Sequence, residues 1–345
     1  MVVLTIFAMW CIINNERQVA GFVRNDIIEF GGVYMELRKI FYGSASTDGE
    51  STIHACIWEP AKGVEIKGII QIVHGASEHI LRYSEFAEAM VAAGFVVCGN
   101  DHLGHGKSAN GRFGYIGTEG HKVLAKDVHK LTTLVKKDFD APIILMGVGV
   151  GSLIARYISA VWNLEYAGAI FTGTSGGGAG LNALHRILYK AKYGSDKKGA
   201  DKEAAWINKR VMNKFNKGFK HSDHGPSWLT RDVYQVAAYE ADPLCGFPLT
   251  YGAWMDMLKL NRLVNSRTWS MRIAESKPIF IFSGLNDPMG DFGKGIIRVY
   301  GDLINAGCED VNITLYQDAR HEMLFELNRQ DVYNDIVKWA NKVVE

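Results

Sequence analysis

The feature that most constrains the fold of this chain is a glycine-rich turn between an apolar run and a helix-like segment. Residues 143–146 lead into Gly147-Val148-Gly149-Val150-Gly151, and residues 153–157 have a composition that suits a helix. Glycines at the two ends of such a turn let the strand and the helix pack closely, because side chains there would collide with them. Phosphate-binding turns also join a strand to a helix, but this segment lacks Gly-x-Gly-x-x-Gly spacing and no Gly-Lys-Ser/Thr follows it. The turn predicts a strand–turn–helix unit and leaves its chemistry open.

From about residue 53 onward, apolar runs alternate with segments of helical period, which is typical of stacked βα units in a mostly parallel sheet. The expected strands cover residues 53–58, 68–73, 95–99, 143–146, 167–172, 278–282 and 313–316. The expected helices cover residues 83–93, 122–138, 152–162, 293–306 and 331–344. The pattern predicts an α/β fold over residues 35–345, with a mostly parallel central sheet flanked by helices.

One segment, at about residues 175–270, interrupts this alternation with amphipathic stretches and no clear buried strand. An insertion of this length after a strand end predicts a helical cap over a site at the carboxyl ends of the strands. Residues 186–220 carry eleven Lys and Arg against three acidic residues, a net charge of +8, with aromatic residues between them. Such a surface can lie on anionic membranes or bind acidic head groups. The favoured interpretation is a solvated basic face whose apolar stripe packs onto the domain below.

Charge balance and cysteine content limit the partners and the compartment that this chain is expected to have. The chain has 345 residues, of which 48% are apolar, and its 38 Lys and Arg nearly cancel its 37 Asp and Glu, so no global charge favours nucleic acid. The odd number of scattered cysteines, without metal-ligand or Cys-x-x-Cys spacing, predicts reduced thiols in a cytoplasmic protein. These cysteines are Cys11, Cys56, Cys98, Cys245 and Cys308. Residues 1–34 are expected to form an N-terminal extension outside the fold, because strand-like patterning begins just after residues 35–39. The uncharged residues 1–13 are too short to span a bilayer and lack the basic start of a secretory signal.

Candidate catalytic groups follow the ends of predicted strands. Asp287 comes after the strand at 278–282, where its carboxylate can orient an imidazole, and His321 comes after the strand at 313–316 as a candidate general base. The loop His74-Gly75-Ala76-Ser77-Glu78-His79 follows the strand at 68–73. Backbone N–H groups of Ala76 and Val150 are candidate donors to an oxyanion, because backbone donors are fixed in place before the charge develops.

The loop at residues 100–108 allows two interpretations. Asp101, His102 and His105 are residue types that bind metals, but no matching cluster occurs elsewhere in the chain. The glycines at 104 and 106 suit a tight turn. The favoured interpretation is a structural loop that braces the oxyanion segment, and no metal or cofactor is expected.

Together these motifs resemble the α/β-hydrolase fold, in which nucleophile, acid and histidine follow one another along the chain after different strands. The chain resembles the monoacylglycerol lipase and lysophospholipase branch, often labelled serine aminopeptidase-like, over roughly residues 38–344. The most specific part is the loop Asp101-His102-Leu103-Gly104-His105-Gly106-Lys107-Ser108; the segments from His74 to Tyr83 and from Ala319 to Glu322, with Asp287, complete the match. The resemblance implies hydrolysis of single-chain acylglycerols, lysophospholipids or small esters without a cofactor.

The chain departs from that branch at the nucleophile turn, where Gly-His-Ser-Met-Gly is usual. Here the three central residues are Val148, Gly149 and Val150, so the nucleophile position is Gly149. This turn also resembles that of the N-myc downstream-regulated proteins, which keep the fold without the triad, although Asp287 and His321 are present here. Ser152, one helical turn further on, is expected to face the packing side.

Two functions follow from these residues. The chain is either a carboxylic-ester hydrolase by descent that is inactive or strongly impaired at Gly149, or a non-catalytic protein that binds an acyl or other apolar ligand. In the first case, a water beside Gly149, activated by His321, offers slow hydrolysis without a covalent intermediate.

Overall fold

A computed structural model describes the backbone of residues 21–30, 33–177, 199–219 and 225–345, and the side chains from Met35 onward within those ranges. The strands are β1 (Gly21–Phe30), β2 (Val33–Gly43), β3 (Thr52–Pro60), β4 (Gly68–Val73), β5 (Phe95–Asn100), β6 (Ile143–Val148), β7 (Gly168–Thr172), β8 (Ile279–Gly284) and β9 (Val311–Tyr316). The helices are α1 (Ser84–Ala92), α2 (Gly120–Asp138), α3 (Val150–Val161), α4 (Ala205–Asn216), α5 (Val233–Ala241), α6 (Tyr251–Val264), α7 (Arg267–Ser270), α8 (Lys294–Ile304) and α9 (Arg329–Val344). Short 3-10 turns cover Ile80–Tyr83, Gly106–Ser108, Asn163–Glu165 and Met323–Phe325.

The strands form one nine-stranded sheet in the order β1-β2-β3-β5-β4-β6-β7-β8-β9. The pairs from β5 to β9 are parallel, whereas β1, β2 and β3 join the sheet in antiparallel pairs. Every residue of β4, β5 and β6 is buried, as expected for parallel strands that are covered on both faces. The predicted α/β fold with a mostly parallel sheet is confirmed.

Helices cover both faces of the sheet and create two apolar layers. One layer contains the inner faces of α2, α3 and α8 and also reaches α6. The other contains α1 and α9, with Phe86 and Trp339 among its large side chains. Because the strands between these layers run in parallel, their carboxyl ends meet at one edge, which is where the loops that carry functional residues lie.

Helices α4 to α7 lie between β7 and β8 in the chain and form the expected helical cap. Side-chain caps help to fix where three of them begin: Asp232 accepts from backbone N–H groups at the start of α5, Thr250 at the start of α6 and Ser266 at the start of α7. None of the helices in the described ranges has both the length and the hydropathy required to cross a bilayer.

The expectation that residues 1–34 lie outside the fold needs correction. Gly21–Phe30 forms β1, which pairs with β2 in an antiparallel ladder, and β2 itself begins at Val33. The register places Phe30 opposite Val33, so two residues separate the strands, and their sequence is Gly31-Gly32. A Gly-Gly pair between two strand-like runs is a hairpin signal. Residues 1–20 lie outside the described residues.

Candidate functional site

The glycine-rich turn joins the end of β6 at Val148 to the start of α3 at Val150. A Cβ atom at Gly147 would lie 2.5 Å from the Ser152 Cα, and one at Gly151 would lie 2.0 Å from the Val73 carbonyl oxygen. Both flanking glycines are therefore required by close backbone approach, as the sequence indicates.

Gly149 occupies the sharpest point of this turn, with φ 56° and ψ −121°. Its N–H donates to the Thr172 carbonyl at 3.0 Å, and its own carbonyl accepts from the Ser152 N–H and hydroxyl. A Cβ atom at this position would lie 2.9 Å from Nε2 of His321. Position 149 therefore faces the histidine but carries no side chain. The Ser152 hydroxyl is buried and donates to the Gly149 carbonyl at the start of α3.

Asp287 and His321 form a buried hydrogen-bonded pair at this edge of the sheet. Nδ1 of His321 lies 3.0 Å from Oδ1 of Asp287, and the two residues are 5% and 0% exposed. The Asp287 carboxylate also accepts from the Ser283 hydroxyl at 2.9 Å and from the Met289 N–H at 2.8 Å. These bonds hold the carboxylate in place and turn Nε2 of His321 toward Gly149.

The protonation of His321 is set by opposing effects. Burial lowers its pKa, but attraction to Asp287 and the hydrogen bond with it, together with the charges of Glu322 and Glu78, raise the pKa above the ordinary value of 6.5. The Trp228 ring packs against the imidazole with 4.5 Å between ring centroids. The imidazole is therefore oriented on one edge and covered on one face, and it binds a proton more readily than a free histidine.

The candidate oxyanion donors lie beside position 149. Ala76 and Val150 both line the same cavity as Gly149 and His321. As the first residue of α3, Val150 has an N–H that no helical carbonyl can accept. Glu78 holds the loop that carries Ala76, because its carboxylate accepts from the Gly75 N–H and from the Tyr83 hydroxyl.

A buried ion-pair network links this loop to the loop that carries His321. Arg82 pairs with Glu78 and also donates two hydrogen bonds to Glu322, at 2.9 and 2.8 Å. All three side chains are less than 10% exposed. The sequence analysis matched these residues to a family pattern but did not predict the network; the spacing of Glu78 and Arg82, four residues apart, is the one signal that could have indicated an ion pair.

The loop at residues 100–108 has the structural role that the sequence favoured. Asp101 accepts hydrogen bonds from the N–H groups of Ile80 and Lys107 and pairs with Nδ1 of His54 at 2.9 Å. The ring and the backbone N–H of His102 both bond to His74, which precedes the oxyanion segment. Asp101 is therefore used as a hydrogen-bond acceptor inside the loop, and the loop braces the candidate oxyanion segment.

A cavity of about 520 Å³ opens in front of Gly149 and His321, beneath the cap. This size suits a small ligand. Apolar side chains of the cap and the adjoining loops line much of it; they include Val211, Met212, Phe215, Trp228, Leu229 and Met257. The cavity therefore offers an apolar compartment next to the polar groups around position 149.

The basic cap sequence is divided between the two sides of α4. Val211 and Phe215 face the cavity, while Lys209, Arg210 and Lys214 are exposed. The apolar stripe of this helix packs inward, which agrees with the solvated-face interpretation for these residues. The rest of the basic segment, residues 186–198 and 220, lies outside the described residues.

Comparison with known proteins gives a consistent result. The family model described as serine aminopeptidase, S33, matches residues 64–328. The chain is 24% identical to the monoacylglycerol lipase of Mycolicibacterium smegmatis over 293 residues, which cover 82% of this chain and 90% of that protein. It is 26% identical to the monoglyceride lipase of Mus musculus over 291 residues, which cover 83% of this chain and 84% of that protein. Among solved structures, a highly thermostable carboxyl esterase from Bacillus coagulans in complex with glycerol aligns with a TM-score of 0.82 and 27% identity, over 90% of this chain and 99% of that one.

Proposed function

We propose that this chain, which belongs to the serine aminopeptidase (S33) family, is a carboxylic-ester hydrolase of the monoacylglycerol lipase type by descent and is strongly impaired in hydrolysis. Its ligands are single-chain acyl esters, which the apolar cavity in front of His321 accommodates. The acid and the base of the triad are Asp287 and His321, and the oxyanion donors are the N–H groups of Ala76 and Val150. The nucleophile position is Gly149. No cofactor takes part in this chemistry.

One observation carries the proposal: position 149 has no side chain, although His321 Nε2 lies 2.9 Å from where its Cβ would be. A serine hydrolase transfers the acyl group to the serine oxygen, and glycine offers no atom that forms this bond. Loss of the nucleophile costs about six orders of magnitude in turnover in well-studied serine hydrolases, and the oxyanion hole and binding leave roughly 10³–10⁴ over water.

The retained groups leave a slower route. A water molecule beside Gly149 would be within reach of His321 Nε2, and attack of this water on the ester carbonyl would transfer its proton to the imidazole. Asp287 would stabilise the imidazolium, and the two N–H groups would stabilise the oxyanion. This route forms no covalent intermediate.

The alternative function is non-catalytic binding of an acyl or other apolar ligand, and the cavity supports it. Its volume of about 520 Å³ lies inside the range of small-molecule sites. The neighbours of Gly149 also favour this alternative, because Val148 and Val150 replace the residues usual in catalytic members. Both functions use the same cavity, and a measurement of ester turnover distinguishes them.

The experiment compares the parent with Gly149→Ser and Gly149→Ala in hydrolysis of p-nitrophenyl butyrate and a monoacylglycerol, and in labelling by a fluorophosphonate. We expect the parent and Gly149→Ala to remain unlabelled, and Gly149→Ser to be labelled and to turn over at least about 10³-fold faster than the parent. A third variant, Val148→His/Gly149→Ser/Val150→Met, restores all three central residues of the turn that is usual in the family.

Each other outcome has a defined meaning. Turnover by the unlabelled parent that is lost in His321→Ala would support the water route and contradict strong impairment. If neither serine variant hydrolyses the esters or is labelled, and the parent binds a non-hydrolysable monoacylglycerol ether, the ligand-binding alternative is favoured. Absence of both turnover and binding would overturn the proposal.

A further inference from the structure

Three side chains outside the Asp287–His321 site meet where the cap contacts the loop after β4. His79, Asp242 and Cys245 each offer one potential ligand atom, and these atoms all lie within 4.8 Å of one another. Nε2 of His79 is 2.7 Å from Oδ2 of Asp242. His79 belongs to the loop that carries Ala76, whereas Asp242 and Cys245 follow α5 in the cap.

The donor set identifies the class of ion. Imidazole nitrogen and thiolate sulfur are ligands that Zn²⁺ accepts, whereas Mg²⁺ and Ca²⁺ require oxygen donors. A tetrahedral Zn²⁺ site separates neighbouring ligand atoms by roughly 3.3–3.6 Å, given the usual Zn–N, Zn–O and Zn–S lengths. The His79 and Asp242 atoms would therefore move apart by about 0.6 Å to admit the ion, a shift that side-chain rotation supplies.

The surrounding charge favours a cation. Burial has the largest effect on the Cys245 thiol and raises its pKa; the carboxylates of Glu78, Asp242 and Glu322 act in the same direction, and the Arg82 guanidinium opposes them. A divalent cation at this point reduces an excess of negative charge that an anion would increase. The Asp242 side chain is 30% exposed, which provides a path from solvent to the cluster.

The cluster lies beside contacts that already join the cap to the candidate oxyanion loop. The Ser77 carbonyl accepts from the Gly246 N–H at 2.9 Å and from the Tyr239 hydroxyl at 3.0 Å. The Ser77 hydroxyl donates to the Phe247 carbonyl at 2.8 Å. An ion held by His79 on one side and by Asp242 and Cys245 on the other would cross-link the same two segments.

We propose that His79, Asp242 and Cys245 bind one Zn²⁺ ion that fastens the cap to the loop carrying Ala76. The ion takes Nε2 of His79, a carboxylate oxygen of Asp242 and the Cys245 sulfur, and a water molecule fills the fourth position. On binding, the thiol proton leaves to solvent, and the neutral His79 ring carries its one N–H on Nδ1, so that Nε2 can bind the ion. Cys245 also lines the cavity, so the ion would rigidify one wall of the ligand compartment.

The test uses Co²⁺ as a spectroscopic probe and Zn²⁺ as its competitor, with the full chain. A thiolate-bound Co²⁺ ion has a sulfur-to-metal charge-transfer absorption, and we expect the parent to develop it at one ion per chain and to lose it when Zn²⁺ is added. Cys245→Ser should lack this absorption, and Asp242→Asn should bind Zn²⁺ more than about tenfold more weakly, since even outer-shell changes cost 10–100-fold. Cys308→Ser, which alters a buried cysteine outside the cluster, serves as the matched control and should keep it.

A thermal melt supplies a readout that does not depend on the thiolate. Zn²⁺ should raise the melting temperature of the parent and of Cys308→Ser, because an ion that binds the folded chain stabilises it. Zn²⁺ should leave the melting temperature of Cys245→Ser unchanged and raise that of Asp242→Asn less than that of the parent at the same Zn²⁺ concentration. Absence of the charge-transfer absorption in a folded parent, or its persistence in Cys245→Ser, would overturn the proposal and leave His79 and Asp242 as a hydrogen-bonded pair.

Discussion

At position 149, the backbone has a positive φ of 56° with ψ of −121°, a conformation that suits glycine and strains a residue with a Cβ atom. A side chain there would also approach His321, since its Cβ would lie 2.9 Å from Nε2. Glycine avoids both costs, and it also lacks the hydroxyl that our proposal expects at a nucleophile position. Under that proposal, glycine at position 149 gives up catalytic chemistry for a relaxed turn.

This exchange predicts the effect of Gly149→Ser on stability. We expect a net loss of about 1–2 kcal/mol in the free energy of unfolding, because the backbone strain of about 1–3 kcal/mol exceeds the gain from a less flexible unfolded chain. Thermal unfolding measures it, and Gly149→Ala should show the same loss without the hydroxyl. Gly43→Ser is the matched control: a Cβ at Gly43 meets nothing within 4 Å, so this substitution should leave the melting temperature unchanged or raise it slightly. An unchanged or higher melting temperature for both position-149 variants would contradict the strained turn.

The proximity of Asp287 and His321 could be predicted from the sequence, whereas other parts of the site could not. Each of these two residues follows an apolar run, and parallel strands bring their carboxyl ends to one edge. Trp228 packs on His321 but lies in the cap, far from any motif, and nothing in the sequence indicates that contact. The catalytic roles of Asp287 and His321 stay predictions.

Among the elements, the loops after β4 and β9 depend on one another through Arg82. Its guanidinium lies between the carboxylates of Glu78 and Glu322 and over the Phe325 ring, 4.3 Å from the ring centroid. Burial raises the pKa of Glu78 and attraction to Arg82 lowers it, with a net rise. Attraction to Arg82 therefore offsets part of the cost of burying the Glu78 carboxylate beside that of Glu322.

Replacing Arg82 with methionine should destabilise the fold by about 3–5 kcal/mol, because buried carboxylates lose their partner. Urea denaturation measures the loss. Lys122→Met is the control: Lys122 pairs with Glu119 at an exposed position, where removal of the ion pair should change stability little. Equal effects of the two substitutions would show that the buried network contributes no more than a surface pair.

The elements themselves could largely be predicted from apolar periodicity. The expected strand at 68–73 matches β4, and the expected helix at 122–138 differs from α2 by two residues at its start. The strand β1 lies outside the predicted fold, although Gly31-Gly32 between two strand-like runs indicates a hairpin. In the helical insertion between β7 and β8, N-cap side chains help to fix where three helices begin. Apolar periodicity does not reveal these hydrogen bonds.

For the whole molecule, three buried histidines make stability depend on pH. His74, His102 and His105 form a cluster in which the closest ring centroids, those of His74 and His102, are 4.0 Å apart. Burial lowers all three pKa values, to about 3 for His102 and about 4 for His105, with His74 also well below 6.5. Repulsion from neighbouring histidines lowers the pKa values of His74 and His102 further. The folded chain therefore keeps these three rings neutral in mild acid.

The sign of the effect follows from proton uptake on unfolding. Between about pH 6.5 and pH 4, the unfolded chain binds protons on these histidines and the folded chain does not, so stability is present above pH 6.5 and is lost as the pH falls. Each ring should contribute a loss on the order of 1 kcal/mol between pH 6.5 and 5.5. Groups with a raised pKa in the folded chain act in the opposite direction; they include Asp127, whose pKa burial raises to about 6, and His321, whose pKa is also raised.

Urea denaturation at pH 7.5, 6.5 and 5.5 gives the free energy of unfolding at each pH. The contribution of the histidine cluster is the difference between the parent and the variants in how this free energy changes with pH. His105→Gln should reduce the loss of stability between pH 6.5 and 5.5 by about 1 kcal/mol relative to the parent, because one proton-accepting site of the unfolded chain is gone. Asp127→Asn should make the loss steeper below pH 6, because it removes a group that the folded chain protonates before the unfolded chain does. If the parent and both variants lose stability in parallel, the histidine cluster does not control the acid sensitivity of this fold, and ion pairs at other positions must account for it.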